Sequence, residues 1–195
     1  MQTSPNKTAT AERCIPDTCA DTDALLMTQV AQGAEHALRM LVEKWKNPLA
    51  NYFYRSVRNA HTAEDLTQQT FINLYKARAH YTPSAKFSTY IFHIARRVLI
   101  GEFRKSACRP SQPTAPADIT APAENSGERE AAELEEIFYT TLQTLPENQR
   151  TAILLYKQQE LSYEEIAEAM EASVSAVKTW IFRARTALRE ALKNG

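Results

Sequence analysis

Residues 161–185 read as two short helices joined by a tight turn, and this pattern constrains the fold more than any other. Ser162 and Glu165 have the spacing of a capping box, in which each side chain satisfies a free backbone N–H group at the start of a helix. Apolar residues follow at helical spacing, Glu171 lies in the turn, and Ser173 is a suitable N-cap for the second helix. The stretch therefore predicts a helix-turn-helix.

The second helix of this pair combines an apolar face with a face of residue types that contact DNA. Val177, Ile181 and Leu188 belong to an apolar stripe that would dock the helix on its neighbours. An outer stripe rich in Ser, Thr, Lys and Arg suits the major groove of duplex DNA, and a plain amphipathic hairpin is the alternative. The candidate DNA-contacting residues are Ser173, Ser175, Ala176, Lys178, Thr179, Arg183 and Arg185.

Helical spacing of apolar residues continues through most of the chain without strand-like alternation, so the sequence predicts an all-α fold. Residues 1–21 are polar and contain two prolines, which predicts a disordered N-terminal tail. Residues 22–106 form one helical block and residues 128–195 a second. Between them, residues 107–127 carry four prolines among Ser, Thr and Ala, which predicts an extended, flexible linker. We therefore expect two small helical domains that can move apart.

Local signals place four helices in the first block. Asp23 opens a short helix, and Pro48 marks a kink or a restart in the second. Thr62 caps the third, and a last long helix runs from about Phe87 to Lys105.

Charge is unevenly distributed along a chain whose formal net charge is zero at pH 7. Residues 22–108 contain twelve Lys and Arg against six Asp and Glu, an excess of about +6. Residues 109–133 contain two basic and five acidic residues, close to −3. Such asymmetry between segments favours a nucleic-acid partner for the basic block.

The remaining composition argues for a cytoplasmic protein without cofactors. No apolar run approaches the ~20 residues of a membrane span, and the N-terminus lacks the apolar core of a signal peptide. Cys14, Cys19 and Cys108 are odd in number and form no Cys-x-x-Cys motif, so we expect no structural disulfide. A redox or metal role for Cys14 and Cys19 stays open, but the four His form no ligand spacing with them, and we expect no metal site.

The last helix of the first block interleaves aromatic and basic side chains. Aromatic rings can stack on bases and cations can follow phosphates, which suits single-stranded DNA; the alternative is that the rings belong to the core. The candidate residues are Tyr81, Lys86, Phe87, Tyr90, His93, Arg96, Arg97 and Arg104. In the preceding helix, the polar stripe of Asp65, Gln68, Gln69 and Asn73 could dock a protein or could simply be solvated.

Three stretches resemble a known family in their order along the chain. Residues 63–75 resemble region 2.2, residues 87–105 regions 2.3 and 2.4, and residues 145–192 region 4 of the sigma-70 family of RNA polymerase sigma factors, in its small extracytoplasmic-function (ECF) group. The resemblance implies that region 2.2 docks on the clamp coiled coil of core polymerase through Asp65, Gln68, Gln69, Phe71 and Asn73.

The same resemblance assigns the two candidate DNA surfaces. Regions 2.3 and 2.4 would open the promoter and hold the −10 element, and region 4 would bind the −35 element and the polymerase flap. It also implies an anti-sigma partner, often membrane-bound. The chain departs from the pattern: Arg97 and Gly101 stand where Asn and Asp are common, Tyr90 where Trp is usual, Glu171 at the turn glycine, and Trp180 at a commonly basic position. The promoter sequence therefore cannot be transferred from relatives.

We therefore interpret the chain as a sigma factor that binds core polymerase and promoter DNA, with no small-molecule substrate. A stand-alone helix-turn-helix regulator is the first alternative, and it would normally be a dimer on a palindrome. An enzyme with an appended DNA-binding domain is the second. The sequence shows no nucleophile–base pair and no Gly-rich phosphate loop, so we expect no catalytic activity.

Overall fold

The computed structural model describes residues 21–107, 126–158 and 160–194, and within these ranges every regular element is helical. The all-α prediction is confirmed. Residues 1–20 of the predicted N-terminal tail, with Cys14 and Cys19, and most of the predicted linker, with Cys108, lie outside the described residues. The helices are α1 Thr22–Ala31, α2 Glu35–Val57, α3 Ala60–Ala77, α4 Phe87–Ala107, α5 Ser126–Thr144, α6 Glu147–Gln158, α7 Tyr163–Ala169 and α8 Val174–Asn194, with a 3-10 turn at Arg78–His80 after α3.

Helices α1 to α4 form the first unit, and Asp21 and Asp23 fix its edge. The Asp21 carboxylate caps α1 by accepting from the Asp23 backbone N–H at 3.2 Å, and it also accepts from the Phe87 N–H at 2.6 Å. One side chain therefore caps the starts of two helices. The Asp23 side chain is buried, and it accepts from Lys44 Nζ at 2.8 Å and Trp45 Nε1 at 3.1 Å.

Of the two alternatives predicted at Pro48, a kink or a restart, the restart is wrong. α2 continues through Pro48, because Leu49, Tyr52 and Phe53 are fully buried on the far side of the proline and tertiary packing outweighs its local cost. Thr62 does not cap α3: its backbone N–H donates to Asn59 Oδ1 at 2.8 Å, so Asn59 is the cap.

Helices α5 to α8 form the second unit, and its predicted local signals are confirmed. The Ser162 hydroxyl accepts from the Glu165 N–H at 3.2 Å, while Glu165 Oε2 accepts from the Ser162 N–H at 2.7 Å. Ser173 Oγ accepts from the Ala176 N–H at 3.2 Å at the start of α8. The apolar stripe of α8 is buried at Val177, Ile181, Ala184 and Leu188.

The two units, which were expected to be able to move apart, are in contact in this structure. α4 packs against α7, and α2 packs against α5 and α6. Arg150 Nη1 donates to the Ser56 carbonyl at 2.9 Å, and Arg58 pairs with Glu136 at 2.8 Å across the contact. Within the described ranges, no helix combines the length and apolar character that a membrane crossing requires.

Candidate nucleic-acid interface

A pocket of about 250 Å³ lies where the loop after α3 meets the start of α4. The rings of Tyr81 and Tyr90 stand 5.0 Å apart at 57° and form one wall. Residues from both units line it, because Glu168 of α7 closes one side. The lining residues are Tyr81, Thr82, Ser84, Ala85, Thr89, Tyr90, His93 and Glu168.

Two hydroxyl groups at this pocket have no hydrogen-bond partner among the described residues. The Tyr81 and Thr89 oxygens are buried and unpaired, and an unpaired buried polar atom is costly in a folded protein. Burial, with a smaller contribution from Asp21, raises the pKa of Tyr81 to about 12. The hydroxyl therefore stays protonated at neutral pH.

Phe87 does not share this surface. Its side chain is fully buried, with its ring 5.8 Å from that of Trp45. The prediction that Phe87 contacts DNA is wrong for this structure, because the first residue of α4 points inward and Tyr90, three residues on, reaches the pocket. The sequence could not separate the two rings, since both fit one interleaved pattern.

Three predicted DNA-contacting residues of the first unit lie close to acids of the second. Lys86 Nζ is 2.7 Å from Glu165 Oε1, His93 Nε2 is 3.7 Å from Glu171 Oε1, and Arg96 Nε is 3.6 Å from Glu147 Oε1. Arg97 and Arg104 are exposed on the same helix.

Of these three pairs, only Lys86 and Glu165 are within hydrogen-bonding distance. Their contact shifts the pKa of both side chains. The hydrogen bond to Glu165 raises the pKa of Lys86. Burial alone would raise the pKa of Glu165, but the hydrogen bonds from Lys86 and Ser162 outweigh it and the pKa is lowered. Both groups are therefore held in their charged forms.

The predicted protein-docking stripe lies on the outer face of α3. Asp65, Gln68 and Gln69 are exposed, whereas Phe71 and Asn73 are half-buried. Gln69 Nε2 donates to Asn73 Oδ1 at 2.9 Å, and the side chains of Asp65 and His61 approach to 3.6 Å.

Two apolar residues extend this face of α3, and sequence reasoning missed both. Ile72 is 48% exposed, and Tyr75 is 44% exposed. The Arg78 guanidinium lies 3.8 Å from the centre of the Tyr75 ring. The signal was present in the sequence, because Leu66, Thr70 and Leu74 already fill the buried stripe and leave Ile72 off it.

The outer face of α8 presents most of the predicted duplex-reading residues. Ala176 is half-buried, and Phe182, not among the predicted contacts, is 71% exposed. Phe182 lies four residues after Lys178 and three after Thr179, so it occupies the same helical face. Phe182 lies outside the apolar stripe of α8. An aromatic residue in that position could have been recognised from the sequence as a candidate DNA contact. The exposed predicted residues are Ser173, Ser175, Lys178, Thr179, Arg183 and Arg185.

Metal ligation finds no support in the described part of the chain, where no group of three His, Cys, Asp or Glu side chains could hold an ion.

Sequence comparisons match both units to one family. Residues 41–108 match the profile "Sigma-70 region 2", and residues 135–188 match "Sigma-70, region 4". The RNA polymerase sigma-H factor of Pseudomonas aeruginosa is 31% identical over 185 residues, which cover 88% of this chain and 94% of that protein. The ECF RNA polymerase sigma-E factor of Haemophilus influenzae is 33% identical over 178 residues, 84% of this chain and 92% of the relative.

Solved structures agree with this fold. CnrH, in complex with the cytosolic domain of CnrY, superposes with a TM-score of 0.69 at 26% identity, covering 89% of this chain and 99% of that one. The sigma factor RpoE of Bartonella quintana, in complex with the anti-sigma factor NepR, gives a TM-score of 0.62 over 80% of this chain and 96% of that one. At 21% identity, this second likeness supports the fold alone.

The matches decide between the alternative interpretations. A stand-alone helix-turn-helix regulator would share only the second unit with sigma factors, whereas the relatives match through both units. Sigma factors are non-enzymatic transcription initiation factors that direct polymerase to promoters. The chain belongs to the ECF group of the sigma-70 family of RNA polymerase sigma factors.

Proposed function

We propose that the chain performs its sigma function through three surfaces. The exposed stripe of α3 binds core polymerase, the pocket before α4 receives unstacked bases of the −10 element, and the outer face of α8 reads the −35 duplex. Residues 22–106 act as region 2, residues 107–127 as a linker and residues 128–195 as region 4. The chain itself catalyses no reaction and works in the cytoplasm, where polymerase acts.

The pocket beside α4 is the observation that carries the strand-capture part of this proposal. Extracting a base from a duplex costs a few kcal/mol, and stacking on an aromatic ring returns about 1–3 kcal/mol per base. Tyr81 and Tyr90 supply the rings. Exposed Arg97 and Arg104 lie on the same helix to follow phosphates.

Substitution of Tyr90 tests strand capture. Tyr90→Ala removes the ring and should weaken promoter opening by about 1–3 kcal/mol. Tyr90→Phe keeps the ring and serves as the matched control. Opening is measured as permanganate reactivity of unpaired thymines in complexes with core polymerase. Full opening by the Ala variant would contradict the assignment of this pocket.

Duplex reading by α8 separates into two kinds of contact. Lys178, one turn into the helix, is assigned to a base, and Arg183, further along, to a phosphate. Lys178→Ala should relax preference at one −35 position at a cost of about 1–3 kcal/mol, whereas Arg183→Ala should weaken all sequences alike. Transcription from a set of −35 mutants distinguishes the two. Normal transcription by both variants across the set would remove α8 as the reader.

The chain is further proposed to have an anti-sigma partner. The support is its likeness to CnrH, which was solved with the cytosolic domain of CnrY. Such a partner should suppress chain-dependent transcription in a purified system, and excess core polymerase should restore it by competition. A candidate that leaves transcription unchanged at saturating concentration is not that partner.

A further inference from the structure

Two stacked tyrosines lie beside the helix that is proposed to read duplex DNA. Tyr156 lies near the end of α6, and Tyr163 is the first residue of α7, which packs against α8. The centres of the two rings are 5.4 Å apart, and the ring planes differ by 3°. Offset stacking at such a separation is attractive. The pair therefore forms a rigid aromatic surface next to α8.

This surface contacts Lys178, the residue assigned to base reading. Lys178 Nζ lies 5.8 Å from the centre of the Tyr163 ring, within the reach of about 6 Å that a cation–π contact has. Lys178 is exposed on the outer face of α8, and no carboxylate of the described residues pairs with it. A lysine ammonium sits on a flexible four-carbon stem. The Tyr163 ring is therefore the contact that restricts this stem.

The Tyr163 phenol is neutral when it makes this contact. A hydrogen bond with the Tyr156 hydroxyl raises the pKa of Tyr163, and the opposing influence of Arg185 is smaller. The attraction for Lys178 therefore comes from the face of the ring and not from a phenolate.

The backbones that carry the two partners are fixed at their helix starts. Tyr163 directly follows Ser162, whose hydroxyl accepts from the Glu165 N–H in the capping box. Lys178 lies five residues after Ser173, whose hydroxyl accepts from the Ala176 N–H. Both caps are local bonds within a few residues, so the distance between ring and ammonium is set by the helix-turn-helix itself.

A restricted lysine is better suited to reading a base than a free one. Lysine has donors and no acceptor, so its partner in the major groove must be an acceptor such as guanine O6 or N7. Pairing costs a long side chain its rotamer freedom, and a side chain that is already held in place loses less of it. The gain belongs to the one base that the ammonium reaches.

We propose that Tyr163, stacked on Tyr156, is a positioning residue that directs Lys178 toward one acceptor base of the −35 element and sets the strength of preference at that position. This inference rests on the proposed reading of the −35 duplex by α8.

The test is single-round transcription by core polymerase and the full chain from a pool of promoters with every base at each −35 position. The transcripts are sequenced to give the preference at each position. An exposed cation–π contact corresponds to about a two- to fivefold change, so Tyr163→Leu should lower the preference at the position read by Lys178 by that factor. Tyr163→Phe keeps the ring and should keep the preference.

A second background separates positioning from other roles of the tyrosine. In Lys178→Ala, the additional change Tyr163→Leu should not alter the preference at that position further. An equal loss in both backgrounds overturns the proposal. A Tyr163 hydroxyl that contacted a phosphate would make Tyr163→Phe weaken all promoters alike, and that result also overturns it.

The same pool distinguishes this inference from the proposed function. If Lys178→Ala loses preference at one position while Tyr163→Leu keeps it, the positioning role is wrong and base reading by Lys178 stands. If Lys178→Ala keeps the preference at every −35 position, both assignments are wrong.

Nuclear magnetic resonance tests the contact without DNA. In the unaltered chain, the ring current of Tyr163 should shift the ε-methylene protons of Lys178 upfield. Tyr163→Leu should remove this shift, and Tyr163→Phe should retain it. Lys178 resonances that are the same in the unaltered chain and in Tyr163→Leu would overturn the proposal.

Discussion

The geometry of the turn in the helix-turn-helix predicts backbone strain at Glu171. The Ala172 N–H donates to the Ala167 carbonyl at 2.9 Å, and the Glu171 N–H donates to the Glu168 carbonyl at 3.2 Å. These two bonds are those of a Schellman motif, whose C′ residue adopts the left-handed conformation that glycine favours. Glu171 occupies that position with φ of 52°.

The perturbation is a comparison of Glu171→Gly with Glu171→Ala. Both variants remove the carboxylate, and only the Ala variant keeps the Cβ that is strained at positive φ. The left-handed conformation costs an L-residue roughly 1–2 kcal/mol, and the greater freedom of Gly in the unfolded chain offsets about 0.5–1 kcal/mol of that. We therefore expect the Gly variant to be about 0.5–1 kcal/mol more stable than the Ala variant.

The lost ion pair hardly affects this comparison. Glu171 Oε1 is 3.7 Å from His93, and the Glu171 side chain is 64% exposed, so solvent screens the pair in any case. Urea unfolding followed by far-ultraviolet circular dichroism gives the free energy of unfolding of each variant. An Ala variant as stable as the Gly variant would refute the strain argument.

Three further outcomes follow from exposure and charge. Phe182→Ala should change the free energy of unfolding by less than about 0.5 kcal/mol, because the ring is exposed. The same variant should lower transcription from −35 elements whose thymine methyl group the ring contacts. Unchanged transcription on every promoter would exclude the contact. Asp65→Ala with Gln68→Ala should weaken core polymerase binding in a titration and leave helical content intact; unchanged affinity would contradict the assignment of this stripe to polymerase binding. The pKa of Glu165 is lowered on folding, so its charge stabilises the chain above its unfolded pKa and that contribution disappears as pH falls through the folded value. The stability difference between the unaltered chain and Glu165→Gln should therefore shrink in acid, and a difference that grows there would contradict the sign.

Signals that act within a few residues could be read from the sequence. The capping box at Ser162 and Glu165 and the N-cap at Ser173 involve partners three residues away, and the structure contains all of these bonds. The start of α3 was misplaced for a related reason. Asn59 and Thr62 are both good capping residues, and the chain uses the first because α2 ends at Val57 and Arg58, which follows in a left-handed conformation, immediately precedes Asn59.

Features that depend on contacts between residues far apart in the sequence could not be predicted from it. Pro48 is tolerated within α2 because core residues on both sides hold the helix together. Phe87 and Tyr90 are alike in sequence, and the difference in burial depends on distant packing: the Phe87 ring is buried 5.8 Å from the ring of Trp45 in α2. In the contact between the units, Arg150 donates to the carbonyl of Ser56, which is ninety-four residues away in sequence. No local sequence pattern predicts this contact.

The most direct measurement maps the 5′ ends of transcripts made in vitro by core polymerase on a genomic library, with and without the purified chain. The account predicts a set of start sites that appears only with the chain and shares two upstream motifs at fixed spacing, one for α8 and one for the pocket beside α4. The absence of chain-dependent start sites, or start sites with no shared upstream motif, would contradict it.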